Sequence, residues 1–98
     1  MKYVIDIDGT ICNNTYGDYS TAIPYSERIA LLNDLFNKGH EIHYWTARGA
    51  QSGKDWTELT LSQLKDWGCL YTTASLGKLH YDVWIDDKAF NALTFFDN

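Results

Sequence analysis

The chain has 98 residues, with 8 Lys and Arg against 13 Asp and Glu, a formal net charge of −5, and 45% hydrophobic side chains. That length gives one domain over 1–98 with one core, and no room for a catalytic domain beside a separate substrate-covering domain. The 15% aromatic share excludes a disordered chain, and net acidity argues against nucleic acid as a partner, because phosphates call for a basic face. A small phosphorylated substrate stays compatible with that charge if a metal ion supplies the positive counterpart.

Residues 2–7 (KYVIDI) are a short β-branched run, predicting a strand buried on both faces of a parallel sheet. Residues 9–25, rich in Gly, Asn, Thr and Ser and ended by Pro24, read as a loop. Ser26 can cap a helix in which Ile29, Leu32, Leu35 and Phe36 recur at helical spacing, with Gly39 closing it. Residues 41–45 (EIHYW) predict a second strand, followed by a polar loop through Gly49 and Gly53. Asp55 with Glu58 has capping-box spacing, opening a helix with Trp56, Leu59, Leu64 and Trp67 along one side, stopped by Gly68. After a weak extended segment near Leu70–Thr73, Val83-Trp84-Ile85 predicts the third clear strand, ending in Asp86-Asp87. Strands alternating with helices imply a parallel α/β sheet with right-handed crossovers. The fold expected is α/β, three-layered and small.

Cys12 and Cys69 match no metal or redox spacing, and a disulfide framework would carry more cysteines. No apolar run nears the roughly 20 residues that span a bilayer. Asp6 and Asp8 fall where a signal peptide would keep its apolar stretch, so no signal peptide is expected. A cytoplasmic protein without membrane contact is expected.

Each predicted strand ends in a reactive group: Asp6-Ile7-Asp8-Gly9-Thr10, then Thr46-Ala47-Arg48-Gly49, then Asp86-Asp87. In parallel sheets the ligand crevice lies at the strands' carboxyl ends, so three stretches are expected to converge on one site. Side chains at i and i+2 of a strand share a face, which sets Asp6 beside Asp8 while Ile5 and Ile7 point the other way. Neighbouring carboxylates repel unless a proton or a cation lies between them. Four acids on one rim, Asp6, Asp8, Asp86 and Asp87, therefore predict a hard divalent cation with oxygen ligands, magnesium above all.

Asp6-x-Asp8-Gly9-Thr10 resembles motif I of the haloacid dehalogenase (HAD) superfamily of phosphatases. Four fixed residues in five arise by chance in roughly one chain per thousand of this size, given ordinary residue usage. Thr46 resembles motif II, Lys78 motif III, and Ile85-Asp86-Asp87 the paired-acid form of motif IV, all in order along nearly the whole chain. Leu79 follows Lys78 where relatives often carry proline, and Lys54 and Lys88 are rivals for the motif III role.

The resemblance implies a three-layer Rossmann-like HAD fold and a magnesium-dependent phosphomonoesterase. Asp6 would be the nucleophile, giving an aspartyl-phosphate intermediate. Asp8 would protonate the leaving oxygen and then activate water. Thr46 would bond a phosphoryl oxygen, and Lys78 would neutralise charge on the nucleophile and phosphoryl group. Asp86, with Asp6 and the carbonyl of Asp8, would hold magnesium, with Asp87 supporting that shell. Gly9, Thr10 and Ala47 lie within the same motifs and join the substrate-binding set. Arg48 resembles an arginine that some members use on substrate phosphate or carboxylate; the alternative is an arginine paired with an acid such as Asp55. About a dozen residues separate Thr10 from Pro24, too few for a cap, so the chain is expected to be capless, with Asn13, Asn14, Tyr16, Asp18 and Tyr19 in that loop as candidate substrate contacts, the alternative being a solvated loop. An open site is met in the family by a bulky substrate or by a neighbouring subunit, and the ring-rich composition suits a homo-oligomer.

Short capless relatives with an Ile-Asp-Asp motif resemble phosphatases of surface-polysaccharide pathways, which points to a sugar phosphate and to carbohydrate metabolism. The alternatives are a nucleotide 5′-phosphatase, a catalytically silent binding module of the same fold, and a phospho-accepting receiver domain. The receiver reading fits poorly, because its phosphoacceptor lies on the third strand. Residues 49–55 (GAQSGKD) also faintly resemble a phosphate-binding P-loop, but they are one residue short and end in Asp where Ser or Thr would bind magnesium.

Overall fold

The computed structural model of the chain describes residues 1–97. Three strands, β1 (Lys2–Ile5), β2 (Glu41–Thr46) and β3 (Thr73–Leu76), form a parallel sheet in the order β1-β2-β3. Tyr3 pairs with Ile42 and Ile5 with Tyr44, while Tyr44 pairs with Ala74 and Thr46 with Leu76. Parallel neighbours need a long crossover, supplied here by α1 (Ser26–Asn37) between β1 and β2 and α2 (Thr57–Asp66) between β2 and β3. A short α3 (Ala92–Phe96) follows. The chain is thus a small α/β protein. Among the described residues no helix is long and apolar enough to cross a membrane.

The helices form where periodicity predicts them, but their ends differ in detail. In α1, Ile29 and Leu32 are buried, and the chain leaves the helix through Gly39 at φ +96°. The residue preceding α1 is Tyr25, with no side-chain cap, so Ser26 is the first helical residue. Asp55 does not build the expected box; its carboxylate accepts the Thr57 N–H at 2.9 Å, one position outside Trp56. Asn33 of α1 ties the two crossovers together, donating to the Gly68 carbonyl and accepting the Leu70 N–H, both at 2.8 Å.

One apolar cluster holds these parts together: Ile5 and Ile7 from the first strand region, Ile29 and Leu32 from α1, Ile42 and Tyr44 from β2, and Leu64 from α2. Ile42, Tyr44 and Thr46 alternate along β2 and are all essentially fully buried, as the two-residue period of a strand requires. Each such aliphatic side chain contributes about 1.5–3 kcal/mol by leaving water.

The third strand is not the one expected. Val83-Trp84-Ile85 lies outside the sheet, with Val83 75% and Ile85 93% exposed, and Asp86-Asp87 therefore does not end a strand. The place beside β2 goes to Thr73–Leu76, whose ladder is extended by Thr72 N–H to the Ile42 carbonyl (2.7 Å) and by Lys78 N–H to the Thr46 carbonyl (3.1 Å). Backbone pairing, not apolarity, decides an edge position: none of the side chains in this strand is fully buried.

Candidate active site

At the carboxyl end of β1 the chain turns sharply. Thr10 and Ile11 N–H groups both donate to the Ile7 carbonyl, at 3.1 and 2.9 Å, and Gly9 N–H donates to the Cys12 carbonyl at 2.8 Å. Gly9 sits at φ +82°, and a Cβ there would press on the Asn14 amide, so glycine is the residue this turn accepts. The following loop returns as a short paired excursion: Asn13 N–H donates to the Ile23 carbonyl, the Asn13 side chain accepts the Ile23 N–H at 2.7 Å, and Tyr25 N–H donates to the Ile11 carbonyl. Asn13 thus pins the loop, while Tyr16 stands 96% exposed at its tip. The Thr10 carbonyl accepts from Arg28 Nη1 at 3.0 Å.

Two charged pairs occupy the rim. Lys78, carried in just past β3, brings Nζ to 3.5 Å from Asp6 Oδ1 and 3.4 Å from the Tyr81 hydroxyl. Its ammonium is ringed by Tyr81, Trp84 and Trp45, at 5.0, 5.3 and 6.0 Å from the ring centroids, distances at which aromatic faces attract a cation. Burial pushes the Asp6 carboxyl above its ordinary value, against the opposing pull of the Lys78 charge. Asp6 is therefore a partly desolvated carboxylate facing a caged ammonium.

The second pair is a clamp. Arg48 grips Asp8 with both forks, Nε to Oδ2 and Nη2 to Oδ1, each at 2.9 Å. Its remaining arm donates to Gln63 Oε1 at 2.6 Å and Thr60 Oγ1 at 3.2 Å, both on α2. Gln63 in turn donates to the Tyr19 carbonyl at 2.7 Å, and the guanidinium lies 4.7 Å from the Tyr19 ring centroid. Arg48 is buried, so its partner is Asp8 and not Asp55 or solvent. Beneath the clamp, burial pushes the Cys12 thiol up to about 12, with the Asp8 charge acting in the same direction. Thr46 is buried too, its hydroxyl accepting the Arg48 N–H at 3.2 Å.

The structure thus brings Asp6, Asp8, Thr46, Arg48 and Lys78 to one end of the sheet, with Gly9, Thr10 and Ala47 in the adjoining turns. It does not gather Asp86 or Asp87 with Asp6 and Asp8 into a metal-holding group of side chains. Asp86 is exposed and its carboxylate accepts the Lys88 N–H at 2.9 Å and the Trp84 indole N–H at 3.4 Å; the Lys88 backbone N–H, with Asp87 and the Trp84 indole, holds its carboxyl below the ordinary value. Among the described residues no three His, Cys, Asp or Glu side chains gather closely enough to hold a metal ion.

Sequence reasoning missed the aromatic ring around Lys78, and it missed Thr60 and Gln63. Trp45 carried a usable signal, since it precedes Thr46 and alternates out of the buried face. Gln63 did not, because a lone polar residue on a helix is read as solvated.

No protein-family model matches the chain, and no curated protein matches it. Among solved structures it is similar to the crystal structure of an MCSG target protein from Vibrio cholerae, at 24% identity and a TM-score of 0.88, covering 99% of this chain and 88% of that one. The chain therefore shares its fold with that protein over the matched 99% of its residues.

Proposed function

We propose that the chain is a capless phosphomonoesterase of the HAD type, with the three-layer fold of that superfamily, acting on a sugar phosphate or a related small phosphorylated metabolite in the cytoplasm. The observation that carries the reading is the meeting of Asp6 and Lys78 at 3.5 Å beside the turn of Gly9. A carboxylate attacks a phosphoryl group only where the repulsion between them is offset, and a nearly buried lysine does that.

The proposed steps run on the chain's own side chains. An Asp6 oxygen forms a bond to phosphorus as the ester oxygen departs with a proton. Water then cleaves the acyl phosphate, releasing inorganic phosphate and restoring Asp6. Dividing the reaction this way replaces one hard step by two easier ones. Lys78 offsets charge on Asp6 and on the phosphoryl oxygens. Asp8 can give the proton only when one of its two Arg48 bonds opens, since both oxygens otherwise accept.

The resemblance also implies magnesium, and the residues as arranged do not fit it: among the described residues no three acidic, His or Cys side chains gather to hold a metal ion, and the exposed Asp86 carboxylate is taken by the Lys88 N–H and the Trp84 indole. Magnesium enters as a variable of the assay. A second reading, a silent module of the same fold, is favoured by the clamped state of Asp8. Phosphate release from sugar, polyol and nucleotide monophosphates, in magnesium and in chelator, separates the two. Turnover abolished by Asp6→Asn supports the phosphomonoesterase; a folded chain that turns over no member of the panel in either condition refutes it. Magnesium-dependent turnover would further require the carboxylates of Asp86 or Asp87 to turn toward Asp6, visible as slowed amide exchange of residues 86–88 on adding the ion.

A further inference from the structure

Beside the two charged pairs lies a cleft of about 220 Å³ between the loop after β1, the loop between β2 and α2, and His80. Ala47 and His80 border it, and each is within two residues of a rim residue, Thr46 and Lys78. Its wall is preformed. Gly49 sits at φ +83°, and a Cβ there would run into the Lys54 backbone carbonyl. Gly53 N–H closes back on the Gly49 carbonyl at 2.8 Å, and Lys54 N–H donates to Ser52 Oγ at 3.2 Å. Tyr19 and Trp56 meet edge to face at 5.0 Å, and the Gly49 N–H reaches the Tyr19 phenol.

The chemistry of this wall is specific. Trp56 and Tyr19 provide apolar ring surface, Gln51 and Ser52 provide neutral donors and acceptors, and His80 and Lys54 provide nitrogen donors. Lys54 Nζ rests 4.4 Å from the Trp56 ring centroid, and among the described residues no carboxylate lies within ion-pair distance of it. The rim cations Arg48 and Lys78 are already paired, with Asp8 and Asp6. Lys54 is therefore an uncompensated positive charge on the cleft. At about 220 Å³ the cleft falls below the roughly 300–1,000 Å³ of pockets that enclose larger ligands. That suits a group of one ring.

We propose that this cleft is the leaving-group subsite, and that it takes a hydroxylated group of one sugar ring bearing a second anionic substituent, which Lys54 binds. The proposal rests on the phosphomonoesterase reading and narrows its substrate class.

The test compares glucose 1,6-bisphosphate and glucuronic acid 1-phosphate with glucose 1-phosphate, so that a second phosphate and a carboxylate, each on a sugar ring, are separate arms. Acetyl phosphate, which has no ring, reports turnover alone. Two readouts are taken: kcat/KM, and the chemical shift of the Trp56 indole N–H on titrating each compound into Asp6→Asn. The expected result is at least a tenfold preference in kcat/KM for one doubly anionic compound over glucose 1-phosphate, a Trp56 shift with that compound, loss of the preference in Lys54→Met and its return in Lys54→Arg. Release of phosphate from acetyl phosphate without any such preference, or with a preference that Lys54→Met leaves intact, overturns the subsite and spares the phosphomonoesterase. A Trp56 shift with no release from any compound overturns the phosphomonoesterase and keeps the cleft as an anion site. Neither shift nor release overturns both.

Discussion

Replacing Arg48 by Met strips the clamp while keeping a long apolar stem, and its cost follows from burial. The Arg48 side chain is 0% and the Asp8 side chain 16% exposed, so this is an interior ion pair. Exposed pairs contribute about 0–1 kcal/mol, whereas removing one partner of a buried pair costs about 3–5 kcal/mol because the other charge is left uncompensated. In Arg48→Met the Asp8 carboxylate loses both short bonds, and Gln63 and Thr60 lose their shared donor. A chain of this size has roughly 5–15 kcal/mol of stability in all, so a large fraction goes. At about 4–8 °C per kcal/mol, Tm falls by well over 10 °C. Urea unfolding of Arg48→Met, Asp8→Asn and the double variant measures it. The expected outcome is a loss of about 3–5 kcal/mol in Arg48→Met, much of it recovered when Asp8→Asn removes the stranded charge. A loss below about 1 kcal/mol, with additive effects in the double variant, would refute the clamp and return Arg48 to the role of a free arginine available to substrate.

Three further outcomes follow. Burial raises the Asp6 pKa in the folded chain, so the folded state binds the extra proton; the stability linked to it is complete below the ordinary value of 3.8 and is lost as pH rises through the folded value. Asp6→Asn should therefore gain stability relative to the parent as pH rises across that window in urea titrations, and a relative loss would mean that the Lys78 pair outweighs burial. Gly49→Ala forces an L side chain into the left-handed region, costing about 1–2 kcal/mol, and drives its Cβ onto the Lys54 carbonyl; thermal unfolding should register at least that loss, and an unchanged Tm would contradict the tight loop. Ile85→Ser should alter stability by no more than about 0.5 kcal/mol, because Ile85 is exposed, whereas Ile42→Ala, at a fully buried position of β2, should cost about 2–5 kcal/mol; a comparable loss at Ile85 would show that its side chain is buried in solution.

The sequence by itself determined β1, α1, β2 and α2, because each advertises itself through local periodicity: alternation in Ile42, Tyr44 and Thr46, helical spacing in Ile29 and Leu32, and glycines where the helices stop. It also placed Asp6, Asp8 and Thr46 at strand ends, since parallel sheets gather such residues at one rim. The tertiary structure decided the rest. Which segment became the third strand depended on backbone pairing with β2, and the plain stretch Thr73–Leu76 took that place while the more apolar Val83-Trp84-Ile85 stayed outside. The acids at 86 and 87 went with it, exposed and at no strand end. Arg48 found Asp8 across 40 positions and Gln63 across 15, and Lys78 met Asp6 across 72. Partners so far apart in the chain leave no local periodicity behind, because their meeting is set by sheet register and helix packing, and those exist only once the chain has folded.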